Sequence, residues 1–345
     1  MEITFFQGLW FLLIFVLIAG YFVLDGFDLG AGVLYPFVAK SERDKAVVRR
    51  SIGPVWDGNE VWLLTAGGAL FAAFPPAYAT TFSGFYLAVM LVLFGLIVRA
   101  VSVEFRGHDP QWARTWDACF FVGSLLPALL LGVAVGNIYA GIPMDAAGNY
   151  MGLPLIGLIT PFTLLTGLLG LAMFLAAGAT WIALKAPKPS ELQARAARLR
   201  LPLQVVALVL FAVVSLYGHF GIQPAMDPAL GVLRWVFALV FVAGIVVSLV
   251  LAKKKDCDKG AFVAQSASAV ALVGLLATSM FPNLVVASAG SIGPNITLMS
   301  AASSELSLMW MTIITCVGLP LVLVYHVIVY RTFRGRVSDD DLGHY

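Results

Sequence analysis

The sequence predicts an all-α integral membrane protein that crosses the bilayer nine times. Three observations predict it. Of 345 residues, 60% are hydrophobic and 12% charged, with a mean hydropathy of +0.93; soluble domains carry about 25% charge. Apolar runs of roughly 20 residues, the length of a spanning helix, recur along the whole chain. Charged and Gly/Pro-rich stretches fall between those runs, without the short alternating strands of a membrane barrel.

The first span, residues 8–37, is too long for a signal peptide and lacks a basic region before it, so it is not expected to be cleaved. It contains "LDGFDLG", where Asp25 and Asp28 lie three apart. On a helix that spacing puts both carboxyls on one face. Acids inside a span are expensive and mark candidate functional sites facing a bundle interior. The alternative is a structural role, hydrogen-bonding a neighbouring helix near Gly26 and Gly30.

The second span, 52–75, opens with "PVWDGNEVWL". Pro54 suits a helix start, and Asp57 in the first turns meets the positive end of the helix dipole. Glu60 follows three residues on, with Asn59 between them and Trp56 and Trp62 on either side. Two acid pairs on adjacent helices suggest a polar track, although a dipole-stabilised first-turn acid is the simpler account of Asp57. The third and fourth spans, 78–101 and 115–138, flank Glu104 and Asp117, which read as a loop acid and a first-turn acid.

The remaining spans are 155–184, 202–221, 230–252, 261–282 and 304–330. Glu305 opens the last one as a first-turn acid. Among His108, His219, His326 and His344, only His326 lies within a span, and no pair has ligand spacing. A lone helical His can be a haem ligand, but a hydrogen-bonded helix residue near the interface is the simpler account. Cys119, Cys257 and Cys316 form neither a disulfide framework nor a metal motif. Nucleotide-binding glycine patterns are lacking, and nothing points to nucleic acid.

Basic residues sort by side. Twenty of the 21 Lys and Arg follow the first, third, fifth, seventh and ninth spans, including Arg99 at the edge of the third; Arg234 is the exception. The loops "GNIYAGIPMDAAGNYMGLP" and "NLVVASAGSIGPNITLMS" have none. Cytoplasmic loops collect Lys and Arg, so the N-terminus is expected outside and Tyr345 in the cytoplasm. We divide the chain into residues 1–140, an N-terminal bundle with the acidic motifs, and 141–345, the C-terminal helices and a short cytoplasmic tail.

"GYFVLDGFDLGAGVL", "SIGPVWDGNEVWLLTAGGALFAAFPPAYATTFSGFY", "WD" at 116–117, "GVAVGN" and the late "SELSLMWMTI" resemble subunit II of the cytochrome bd and cyanide-insensitive quinol oxidases. The resemblance covers essentially the whole chain and implies a location in the bacterial inner membrane. It implies two four-helix bundles plus a peripheral helix, and a haem-bearing subunit I that holds two b-type haems, haem d and the quinol site. Subunit II then carries no haem, holds a structural quinone in some members, and is joined by small accessory subunits in others. Quinol and O2 are the substrates of the complex.

Residue by residue, the resemblance places Asp25, Trp56, Asp57 and Glu104 on a proton pathway, with Asp28 in support, and Trp62 near an oxygen route. Glu104 stands where some relatives have Asp, and Glu60 where some have Gln. Tyr345 matches a terminal Tyr proposed for the proton path. The competing functions are a stand-alone secondary transporter or proton channel, and a purely structural scaffold. Against the transporter, no paired Gly/Pro-broken helices mark a midplane site.

A reporter fused behind Tyr345 is expected to be active only in its cytoplasmic form. Activity restricted to the outer side would reverse the topology.

Overall fold

The computed structural model describes residues 3–222 and 226–344; Tyr345 lies outside them. Eight helices are long and apolar enough to cross a membrane. They are α1 (Phe5–Val38), α5 (Tyr86–Phe105), α6 (Ala113–Ala140), α7 (Pro161–Lys185), α8 (Glu191–Tyr217), α9 (Gly231–Ala252), α10 (Asp258–Met280) and α12 (Glu305–Thr332). The second expected span appears as α3 (Trp56–Ala73), which is 18 residues long but carries Asp57, Asn59 and Glu60 in its first turns. Those three residues set it apart from the other eight.

Local chemistry explains where the helices begin and break. Thr4 and Gln7 form a reciprocal capping box at the start of α1. The third expected span, 78–101, is corrected to two pieces, α4 (Pro75–Gly84) and α5. Pro75 and Pro76 cannot continue α3 but suit the first turn of a new helix. The basic loop after α1 contains an unexpected helix, α2 (Glu42–Ile52), capped by Ser41 and Asp44.

The two loops without basic residues come together at one end of the molecule. Ile142 N–H donates to Val286 O at 3.0 Å, and Ser288 N–H to Ile142 O at 2.9 Å. A short antiparallel pair, β1 (Asn283–Val285) with β2 (Ile296–Thr297), followed by α11 (Leu298–Ala301), completes this cap. Trp10, Phe11, Phe74, Phe85, Ile142 and Met144 fill the core beneath it.

Ion pairs knit the opposite, basic end. Asp117 accepts from Lys45 Nζ and Arg106 Nε, both at 2.8 Å, and from Tyr35 Oη at 2.9 Å. Arg106 also binds Glu42 at 2.6 Å; hydrogen bonds from Arg106 and Lys45 hold the Glu42 carboxyl below its usual range. Arg195 joins α8 to Asp44 of α2 at 2.6 Å, and Arg200 joins α8 to Asp258 of α10 at 2.9 Å. Asp117 is thus the hub of a cluster rather than a simple first-turn acid, with Arg106 among its partners.

α1 runs through the middle and packs on α3, α6, α7 and α10. Its crossing with α7 is backbone on backbone. A Cβ on Gly30 would lie 1.8 Å from Phe174 O, and one on Gly178 would lie 2.4 Å from the Gly30 carbonyl carbon. Small residues allow such close approach of helices in a bilayer.

By contrast α12, 28 residues long, has a single fully buried residue, Leu308. It is held at its ends. Trp10 Nε1 donates to Leu308 O and Thr312 Oγ1, both at 3.0 Å. Beyond its other end, Val337 N–H donates to Lys185 O at 2.8 Å, and Arg336 reaches Ala183 O, Ala186 O and Asp258.

Replacing Gly30 by Leu is therefore expected to destabilise the protein by about 1–3 kcal/mol or more, the usual cost of overpacking. Gly68→Ala, with nothing within 4 Å of its would-be Cβ, should be neutral. Thermal unfolding of the purified membrane assembly checks both.

Candidate functional site

The polar interior is built where α1, α3, α5 and α12 meet. Arg99, near the end of α5, is 1% exposed. Its Nη1 donates to Asp25 Oδ1 at 2.7 Å and its Nη2 to Glu60 Oε2 at 3.0 Å. A planar guanidinium suits this double task, because its fork can address two carboxylates at once. Asp25 is fully buried, whereas the Glu60 side chain keeps 20% of its surface.

Asp28, one turn along α1 and also fully buried, has no ion-pair partner among the described residues. Asn59 Nδ2 donates to its Oδ2 at 2.7 Å, and the other prong of Asn59 accepts from Tyr330 Oη of α12 at 3.0 Å. Asp25 Oδ2, Asp28 Oδ1 and Arg99 Nε have no hydrogen-bond partner among the described residues. The Tyr21 hydroxyl lies close to Asp25 in this interior. One guanidinium cannot neutralise three carboxylates, and uncompensated charge is costly away from water. Protons can balance the surplus.

Trp62 lies one face over, 8% exposed. Its Nε1 donates to His326 Nε2 at 3.1 Å, and His326 Nδ1 lies 2.9 Å from Val322 O. With Nε2 accepting, Nδ1 carries the proton and donates to that carbonyl. Both ring nitrogens are thus engaged within the chain, as the sequence suggested for a hydrogen-bonded helix histidine. Among the described residues no group of three His, Cys, Asp or Glu side chains converges as a metal site would.

The structure brings Asp25, Asp28 and Glu60 together and leaves other candidates apart. Asp57 is exposed in the first turn of α3, near enough to Glu60 for their charges to interact. Trp56 is half-buried against the core at the basic end. Glu104 is exposed near the end of α5, where its carbonyl meets His108 Nδ1.

Two central residues, Arg99 and Tyr330, do not stand out as site residues in the sequence. The sequence places Arg99 among the orienting basic residues, yet the structure makes it the buried partner of two acids. Its position inside the span expected over 78–101 was the available signal, since basic groups within spans are paired. Tyr330 carried no signal, because only the fold brings α12 to Asn59.

Comparisons with known proteins agree with this architecture. The sequence profile of the cytochrome bd terminal oxidase subunit II family matches residues 6–333. Cytochrome bd-I ubiquinol oxidase subunit 2 of Escherichia coli is 34% identical, the match covering 97% of this chain and 96% of that one. Cytochrome bd ubiquinol oxidase subunit 2 of Bacillus subtilis is 35% identical over 96% and 97%. Among solved structures, bd oxidase from Geobacillus thermodenitrificans superposes with a TM-score of 0.78 at 16% identity, covering 96% of this chain and 99% of that chain. The last match speaks for the fold alone. The chain belongs to the cytochrome bd terminal oxidase subunit II family.

The Arg99 geometry makes a prediction. Arg99→Leu strands two acids in the interior and should cost about 3–5 kcal/mol, as for other broken buried pairs. Arg99→Lys should recover only part, because an ammonium cannot fork to both carboxylates. Equal thermal unfolding of all three complexes would show the pairing to be inconsequential.

Proposed function

We propose that this chain is the subunit of a membrane quinol oxidase that supports a haem-bearing partner and supplies it with cytoplasmic protons for reducing O2 to water. The observation that carries the proposal is the cluster of three carboxyl groups around one guanidinium, with Asp25 and Asp28 wholly buried and Glu60 partly exposed. The names of the curated relatives support the substrate class, a quinol. Proton consumption on one side and quinol proton release on the other would build proton-motive force.

In this reading α3 is the ninth crossing. Helices α1, α3, α5 and α6 form the first four-helix bundle and α7 to α10 the second. α12 is the peripheral helix, the N-terminus is periplasmic, and the boundary near residue 140 separates the bundles. Two b-type haems and haem d belong to subunit I. The engagement of both His326 nitrogens fits that division.

A structural quinone would suit the cavity of about 800 Å³ at the end opposite the basic face. There Thr80, Tyr86, Asn149 and Tyr150 offer hydroxyl and amide groups beside apolar walls. Small accessory subunits and membrane lipid complete the surroundings.

Proton entry runs from exposed Asp57 and Glu104, past Trp56, to Asp25 with Asp28 in support; Trp62 lines the oxygen route. Asp57→Asn preserves size but cannot titrate. The complex should assemble with normal haem content and lose turnover by on the order of 10²-fold, the low end of what a positioned proton donor contributes. Asp25→Asn and Asp57→Asn oxidases, singly and combined, running at wild-type rates with unchanged proton uptake would leave the acids a packing role only.

A further inference from the structure

Asn59 stands between a buried acid and a phenol, with one prong on each. The carboxamide has a donor prong and an acceptor prong of nearly the same shape. A half-turn about its last bond therefore exchanges them with little change in packing. The observed order suits ionised Asp28: Oδ2 accepts from Asn59 Nδ2, and Tyr330 Oη donates to Asn59 Oδ1.

A proton added to Asp28 has two places to sit. On Oδ1 it finds no acceptor among the described residues. On Oδ2 it faces the Asn59 amide, and a half-turn of Asn59 supplies the acceptor it needs. Asp28 then donates to Asn59 Oδ1, and Asn59 Nδ2 turns to Tyr330 Oη, which now accepts and rotates its own O–H hydrogen away from Asn59, the proton staying on the phenol. One proton has entered, forming one O–H bond on Asp28. None leaves, and each hydrogen bond in the chain keeps its place with its direction reversed.

We propose that Asn59 is a reversible amide switch that transmits the proton occupancy of Asp28 on α1 to the hydroxyl of Tyr330 on α12. This rests on the reading that Asp28 takes part in proton entry. Asn59 and Tyr330 act through Asp28 and are positioning residues.

The surroundings leave the switch two partners. From α1, Tyr21 and Asp25 face the region; from α3, Asp57 and Glu60; from α5, Arg99; from α12, Tyr325 and His326. Arg99 is committed to Asp25 and Glu60, and His326 to Trp62 and Val322. None of them hydrogen-bonds Asn59. Tyr330 is a suitable receiver because a phenol both donates and accepts. It also sits on the helix with the fewest buried anchors, where a reversed hydrogen bond meets little resistance from packing.

Infrared difference spectroscopy of the intact oxidase, stepped in pH with ring-labelled tyrosine and labelled asparagine, tests the switch. The carboxyl band lost in Asp28→Asn reports Asp28, and the phenol band lost in Tyr330→Phe reports Tyr330. In the wild type these bands and an asparagine amide band are expected to change together. In Asn59→Leu the Asp28 band should remain while the tyrosine change is lost. In Tyr330→Phe, the gentler substitution, the Asp28 and asparagine changes should both remain.

A tyrosine change that survives Asn59→Leu overturns the switch, since the field of Asp28 alone would then explain it. A wild-type Asp28 band without an asparagine change overturns it as well, and needs no substitution at Asn59 or Tyr330. In either case Asp28 keeps its place in proton entry. Absence of any Asp28 carboxyl band overturns the switch and that place together.

Discussion

The interaction on which this structure depends is the grip of Arg99 on Asp25 and Glu60. A guanidinium does not lose its proton in proteins, so once it lies inside a bilayer span it must be met by acids. That requirement brings α1 and α3 to α5 at one depth. The same point is tight on its far side, where a Cβ on Gly123 of α6 would lie 2.7 Å from Arg99 N. Helix α5 is therefore clamped between an ion cluster and a backbone contact. The acids on α1 gain a fixed surrounding in which Asp28 has a neutral donor and Asp25 a charged one.

A second consequence is the contrast between centre and periphery. α1 buries side chains along most of its length and touches every neighbour that matters for the site. α12 is tied at its two ends and at two polar points, His326 and Tyr330. Its remaining surface is apolar and outward, from Leu306 and Trp310 through Ile328. A helix held this way takes its position from a few hydrogen bonds, so a change in one of them matters more than it would on α1. The tail beyond α12 reinforces the inner tie, because Arg336 satisfies the last carbonyls of α7 while pairing with Asp258.

Much of the fold was legible in the sequence because the bilayer imposes a length and a polarity on each span. The long apolar runs became helices, and the loops without basic residues formed one cap. The break between α4 and α5 was harder to see, since Tyr86 and its neighbours continue the apolar pattern without a charge. The basic residues of α2 give it the look of a cytoplasmic loop and mask a short capped helix. In the site, the pairing of Asp25 with Asp28 followed from helical spacing alone. Their partners did not, because Arg99 lies 74 residues from Asp25, Asn59 31 from Asp28 and Tyr330 271 from Asn59, and only tertiary contacts bring them together. Spacing reports what one helix does; it says nothing of which helix comes alongside.

The buried and exposed acids also divide the work of the proposed proton entry. Asp57 and Glu104 remain at the surface, where water can reach them, and Asp25 and Asp28 are wholly enclosed. A proton crossing between these sets needs a group that belongs to both. Glu60 is that group by geometry: its side chain is partly exposed, it senses Asp57 one turn earlier, and it holds the second fork of Arg99. Glutamine, which the family resemblance places there in some relatives, could keep the hydrogen bond from Arg99 but not carry a proton as an acid. At this position an acid therefore adds a titratable step that an amide lacks, and the buried cluster of this chain is correspondingly one carboxyl richer than its anchoring role requires.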